Sequence, residues 1–120
     1  LAKKLYNEAD IQFNEAKALE GHERRVAFRA AAKKYKEAGK NWRNSYLQQD
    51  ALYMEGRSYF FAEDYPKAED AFTRLVKEYP RTKYLDSTQK HRFEIAQYWV
   101  QYNQVAPASF YILNWNDNKR

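Results

Sequence analysis

Apolar positions recur along the chain with the period of α-helices, and short polar breaks divide them into five segments. The clearest segment places Ala68, Phe72 and Leu75 on one face at spacings of four and three. Pro66 fits the first turn of this helix, where a missing N–H costs nothing, and Pro80 prevents the helix from continuing. The pattern predicts five helices, over residues 2–20, 22–40, 45–62, 66–79 and 85–103.

Comparison of the chain with itself indicates that these helices are copies of one unit. Ala31-x3-Tyr35 repeats Ala68-x3-Phe72 at a shift of 37 residues, and the third helix recurs in the fifth at a shift of 40. Small side chains stand at equivalent points, where a ring from a neighbouring helix can approach closely. We predict such contacts at Ala9, Ala31, Gly56, Ala68 and Ala96.

The repeat predicts an all-α fold, a right-handed α-solenoid of antiparallel helix pairs with about five helices. We assign one helical repeat domain to residues 1–103, with units at about 2–43, 45–80 and 85–115. Residues 104–120 form a separate C-terminal segment, in which 108–115 is either a further helix or an extended stretch rich in Asn. The sequence begins without Met and ends without a polar cap, so we expect a piece of a longer protein.

Composition and charge exclude several classes of protein. The chain has no Cys, which excludes disulfide scaffolds and cysteine zinc sites. Tyr, Phe and Trp number 11, 7 and 3, an aromatic content that fits rings packed against alanines. The net charge of +5 indicates anionic partners only weakly, because acidic and basic residues are interleaved along the chain.

The sequence offers little catalytic chemistry. His91 and Glu94 form an i, i+3 pair, but a metal site needs a third or fourth ligand. The acidic pairs Glu63-Asp64 and Glu69-Asp70 are interpreted as helix-capping residues. We therefore predict no enzyme activity, no cofactor, no metal and no small-molecule substrate. An accessory repeat domain within a larger enzyme stays an alternative.

A partner groove is predicted on the first helix of each pair, where rings and an occasional cation suit an extended peptide or a partner helix. We expect at least two of its rings to be exposed. The candidates are Asp50, Tyr53, Arg57, Phe60, Phe61, His91, Ile95, Tyr98 and Tyr102.

A basic stripe is the alternative site. Its members advance by three or four residues along the second helix and are Arg25, Arg29, Lys33, Lys36 and Lys40. Such a stripe could contact nucleic acid or an anionic membrane surface. The absence of a recognition-helix or RNA-binding motif argues against nucleic acid. Most stripes of this kind are solvated helix faces.

The run Leu52–Phe61, the phrase Tyr65–Phe72 and the stretch Arg74–Pro80 resemble tetratricopeptide units. The long spacing and the linker from Tyr79 to Leu85 are similar to those of the outer-membrane assembly lipoprotein family (BamD-like). This resemblance covers about residues 30–100. It implies a non-catalytic protein-interaction scaffold that contacts other subunits of an outer-membrane assembly complex. It also implies a periplasmic location, with a lipid anchor to the outer membrane that this sequence does not contain.

Overall fold

The computed structural model describes residues 1–43 and 45–103, with the side chains of 102 and 103 left aside. These residues form five α-helices and contain no strand. Each helix packs against the one that follows it, which gives a tetratricopeptide-like solenoid. The helices are α1 (Ala2–Ala16), α2 (Gly21–Lys40), α3 (Tyr46–Phe61), α4 (Tyr65–Glu78) and α5 (Leu85–Asn103).

The connection between α1 and α2 begins earlier in the chain than the sequence pattern predicted. Helix α1 ends at Ala16 rather than near residue 20, because the amides of Ala18 and Leu19 bond to carbonyls only three residues back. Gly21 then takes a left-handed backbone conformation, with φ of 61°, that glycine adopts without strain. Arg24 stabilises the turn, because its Nη1 donates a hydrogen bond to the Lys17 carbonyl oxygen at 3.0 Å.

Side-chain hydrogen bonds cap the N-termini of α3 and α4, close to where the sequence pattern predicted these helices to begin. The Ser45 hydroxyl accepts a hydrogen bond from the Gln48 amide at 3.1 Å and so caps α3. The Asp64 carboxylate accepts from the Lys67 amide at 3.4 Å, and Pro66 occupies the first turn of α4. The capping prediction is therefore confirmed for Asp64.

Small residues face neighbouring rings in both parts of the core, as predicted. Ala9 and Ala31 are fully buried with Phe13 and Phe28 in the core between α1 and α2. Ala68 is fully buried with Phe72 in a second core that includes residues of α2, α3, α4 and α5. Gly56 is buried against the Phe72 ring, and Ala96 is partly buried on the second core.

The third unit joins the second through a buried ion pair as well as apolar contacts. Arg92 Nε on α5 donates to Glu69 Oε2 on α4 at 3.0 Å, and both side chains are over nine-tenths buried. The interpretation of Glu69 as a helix cap is therefore wrong. The predicted unit boundaries stay predictions, and the predicted segment 104–120 lies outside the described residues.

Within the described residues, no helix has the length and apolar character needed to cross a membrane.

Replacement of Gly56 by Ala tests the closest approach in the core. The added methyl carbon would lie 2.4 to 2.8 Å from three atoms of the Phe72 ring. We expect Gly56→Ala to lower the free energy of unfolding by about 1–3 kcal/mol, measured by urea denaturation. The helix preference for Ala, worth about 1 kcal/mol, acts in the opposite direction.

Gly39→Ala is the matched control, because its methyl carbon would meet only the Ala51 side chain, at 3.3 Å. We expect it to be the milder variant. In Gly56→Ala/Phe72→Leu, a smaller side chain replaces the ring and makes room for the added methyl group. The double variant should therefore lose less free energy of unfolding than the two single variants together. A Gly56→Ala protein as stable as the parent would show that the ring does not occupy this space.

Candidate functional site

Four predicted groove residues of α3 lie together on one half-buried face, which we call the aromatic row. The Phe61 ring meets Phe13 of α1 and Phe28 of α2 at centroid distances of 6.1 and 5.5 Å. At its other side the Phe61 ring meets Phe60 edge-on at 5.6 Å. The row thus continues the packing of the first helix pair. Its members are Tyr53, Arg57, Phe60 and Phe61.

Arg57 supplies the positive charge at the middle of the aromatic row. Its guanidinium carbon lies 5.4 Å from the ring centroids of Phe13 and Phe61, and 5.9 Å from that of Tyr53. No carboxylate of the described residues forms an ion pair with it. Cation–π contacts of this kind contribute about 0.5–1 kcal/mol at exposed sites. The charge is therefore held by rings and not by an ion pair within the described residues.

Asp50, the remaining candidate on α3, is engaged within the chain. Its carboxylate accepts a hydrogen bond from the Tyr84 hydroxyl and lies 3.7 Å from Lys83 Nζ. Burial, and next the hydrogen bond to Asp50, raise the pKa of Tyr84. The Tyr84 ring also stacks on Tyr53 at 4.1 Å. Asp50 thus fixes the linker before α5 against the row.

His91 lies between the aromatic row and the second core. Its ring is parallel to Phe72 at 5.4 Å and meets Phe60 at 4.7 Å, while Nδ1 is 3.3 Å from Glu94 Oε1. Burial lowers the pKa of His91, and the positive charge of Arg57 lowers it further. Glu94 acts in the opposite direction, but burial is the largest effect. The packing therefore favours the neutral imidazole.

The candidates on α5 face the preceding unit rather than an open groove. Ile95 is 1% exposed and belongs to the second core, so its assignment to the groove is wrong. Tyr98 is half-buried and packs on Tyr65 at 4.5 Å. Tyr102 lies on α5, and its side chain is outside the described part. No predicted groove ring in the described range is fully exposed, so the expectation of two exposed rings is also wrong.

The repeat itself contains the signal that would have corrected the choice of candidate residues on α5. At the shift of 40 residues, Ile95 corresponds to Glu55, and both side chains are buried. The α5 equivalent of Tyr53 is Phe93, which is 61% exposed, and the equivalent of Phe60 is Val100, which is 38% exposed. Helical spacing alone does not reveal these two apolar side chains, whereas the shift of 40 residues does.

The basic stripe is exposed only in its second half. Arg25 and Arg29 are half-buried, whereas Lys33, Lys36 and Lys40 are exposed. The Lys40 ammonium lies 3.7 Å from the Glu37 carboxylate, which weakens the positive potential there. Beyond this end of the stripe, a pocket brings Arg43 and Arg74 to Lys36 and Lys40, a convergence that spacing on one helix could not reveal.

Among the described residues, no group of three or more His, Cys, Asp or Glu side chains is placed to hold a metal ion. His91 and Glu94 do lie close to each other. The His91 ring is held by its packing against Phe72.

Comparison with known proteins finds a family match for the central helix pair, α3 and α4. Residues 50–82, which include most of α3 and all of α4, match the family model of the tetratricopeptide repeat. No curated protein and no solved structure matches the chain. A tetratricopeptide repeat is therefore present where the sequence pattern is clearest, and nothing in the comparisons supports the narrower likeness to the outer-membrane lipoprotein family.

The packing of His91 predicts a loss of stability in mild acid. A histidine whose pKa is lowered by folding takes up its proton more readily in the unfolded chain, so its contribution is complete above the ordinary value of 6.5. This contribution declines as the pH falls below 6.5 towards the folded pKa. We expect the urea midpoint to fall between about pH 7.5 and 5.5.

His91→Phe keeps a ring beside Phe72 but cannot titrate, so its urea midpoint should change less over the same interval. His22→Gln is the control, because His22 is exposed at the start of α2 and should retain the parent's pH dependence. The interpretation is contradicted if His91→Phe and the parent lose stability equally on acidification.

Proposed function

We propose that this chain is a non-catalytic scaffold for protein–protein interaction and that the aromatic row is its partner-binding surface. Tetratricopeptide repeats generally mediate contacts between proteins, and the match at residues 50–82 supports this class of function. The single observation that carries the assignment to the row is Arg57, a cation held over three rings without an ion-pairing carboxylate in the described chain.

The row suits an extended apolar peptide or one face of a partner helix. Its rings are half-buried and held by one another, so little side-chain freedom is lost when a partner docks. Aromatic rings provide contact area, and Arg57 can pair with a carboxylate or a main-chain carbonyl of the partner. The supporting helices are tied to their neighbours by packing, so the surface is rigid before binding.

The absence of enzyme activity is part of the same proposal. Tetratricopeptide domains are typically scaffolds without catalysis. In the described residues, the ion pair of Glu69 with Arg92 is buried between α4 and α5 and has a structural role.

A narrower proposal places the scaffold in outer-membrane protein assembly, at the periplasmic face and anchored by a lipid. It rests on the likeness of the long repeat spacing, and of the linker from Tyr79 to Leu85, to that lipoprotein family. The subunits of the assembly complex would then be its partners.

Site-specific photo-crosslinking tests the partner surface. With benzoylphenylalanine at Tyr98, beside the aromatic row, we expect the full-length protein to crosslink a discrete partner in its own cells. The same group at Tyr46, which is 79% exposed but far along α3 from Arg57, is the control and should not crosslink that partner. Arg57→Glu should reduce the crosslink at Tyr98 by about tenfold.

Tyr53→Ala/Tyr98→Ala should weaken partner capture while circular dichroism still shows a folded helical protein. Equal crosslinking from Tyr98 and Tyr46 would contradict the proposed surface. Unfolding of the double variant would show that the two rings are core.

Cell fractionation tests the narrower proposal. We expect the full-length protein in the outer-membrane fraction of its host, labelled by radioactive palmitate. Recovery of unlabelled protein in the cytosol would overturn this location and leave the scaffold proposal standing.

A further inference from the structure

Helix α5 carries a row of apolar side chains that the other described residues leave uncovered. Phe93 and Val100 are 61% and 38% exposed, and the two apolar residues between them are only half-buried. Contiguous apolar side chains on a helix face mark a contact with another element. We call this row the α5 strip, and its members are Phe93, Ala96, Trp99 and Val100.

In the second unit, the corresponding positions are covered by the second helix of the pair. At the shift of 40 residues, Ala96 corresponds to Gly56, and Trp99 corresponds to Tyr59. Gly56 is buried against the Phe72 ring of α4. Tyr59 is 5% exposed and belongs to the same core as that ring. Helix α4 therefore covers in α3 what is left open in α5.

The first unit has the same arrangement as the second. Ala9 of α1 is fully buried, and Tyr6, three residues earlier, meets Tyr35 of α2 at a centroid distance of 5.2 Å. In the second unit, Tyr53 of α3 meets Phe72 of α4 at 6.2 Å. Each first helix thus presents a small residue, and a ring three residues before it, to a ring of its second helix. The α5 strip repeats these two positions, and no second helix covers them within the described residues.

The sequence that follows α5 contains the residues that such a covering helix requires. At the shift of 40 residues, the buried face of α4 recurs as Ala108, Ile112 and Trp115. Helix α4 has 14 residues, and its equivalent, residues 105–118, lies within the sequence. Pro107 falls in the first turn of this equivalent, where a missing N–H costs nothing.

The α5 strip has the width of one helix. Lys90, Gln97 and Gln101 are exposed along one side of it, and Ile95 on its other side is buried in the second core. The segment that follows α5 is tethered beside the strip, which gives it a high effective concentration there. A free partner lacks this advantage, so the chain's own segment is the favoured occupant.

We propose that residues 105–118, which lie outside the described residues, form a helix that packs on the α5 strip and completes the third unit. In this arrangement Ile112 contacts Phe93 and Ala96, as the corresponding ring of α4 contacts the corresponding positions of α3. The segment contains several Asn residues, which favour a helix only weakly, so the packing on α5 is what stabilises it.

Disulfide formation in the chain of 120 residues tests this packing, because the sequence has no Cys of its own. In Ala96→Cys/Ile112→Cys, the two thiols stand at positions whose equivalents, Gly56 and Phe72, are in direct contact. We expect mild oxidation to join them within one chain, since the two β-carbons lie within the reach of a disulfide. The loss of free thiols and the mass on a non-reducing gel measure the reaction.

Ala96→Cys/Asn114→Cys is the matched control. On a helix, position 114 points about 200° away from position 112, whereas in an extended segment the two positions share a face. We therefore expect this disulfide to form about tenfold more slowly than the first. Equal rates for the two pairs, or no disulfide in either, would overturn the proposal.

The reactivity of a single thiol tests whether the strip is covered. In Val100→Cys, the thiol stands on the strip, and its rate of reaction with a water-soluble thiol reagent reports exposure. Adding Ile112→Asp should raise this rate by about tenfold, because a carboxylate opposes packing against apolar side chains. Asn114→Asp adds the same charge on the other side of the proposed helix and should change the rate by less than about twofold. Circular dichroism melts verify that each variant is folded.

Other occupants of the strip give different results. Disulfide-linked dimers that increase with protein concentration would assign the strip to a second copy of the chain and overturn the proposal. Equal thiol rates with Ile112→Asp and Asn114→Asp would show a strip left open for a separate partner, which also overturns it. The proposed partner surface is independent of this result: Tyr98 points about 200° away from Ala96 around α5, so Ile112→Asp should not change crosslinking at Tyr98.

Discussion

The approach of α4 to α3 at Gly56 is the contact on which the second core depends. A hydrogen at this position allows the Phe72 ring to lie where any larger side chain would collide with it. The Phe72 ring also stacks in parallel with His91 and so contacts the α5 helix. Ala68 plays the same part from α4, fully buried in that core. The stacking of the units thus follows from small side chains that admit rings.

Helix positions were predictable from the sequence because their signals are local. Ser45, Asp64, Pro66 and Pro80 mark helix ends by hydrogen bonding or by the lack of an N–H, whatever the rest of the fold does. The early end of α1 was missed because the amides of Ala18 and Leu19 bond to carbonyls three residues back, a change of hydrogen bonding that the spacing of apolar residues does not encode.

Helical spacing predicted which α3 side chains share a face, but it was a poorer guide on α5. Four candidates on α3 do lie on one half-buried face, and their role in binding stays a prediction. On α5, helical spacing alone selected Ile95, whose burial is set by contacts with the preceding unit. The pocket that brings Arg43 and Arg74 to Lys36 and Lys40 was not predictable at all, because these side chains come from α2, from the turn after it and from α4, which only the tertiary packing brings together.

The Glu69–Arg92 pair has a consequence for the exchange of repeats between proteins. Most of the interface between neighbouring units is made of alanines and rings, which many repeat sequences could supply. The junction after α4 instead contains a carboxylate that is almost completely buried and is matched by an arginine from the next helix. A foreign unit grafted there without that arginine would leave an uncompensated charge in an apolar interface. The helix that follows α4 must therefore supply a matching cation to this carboxylate.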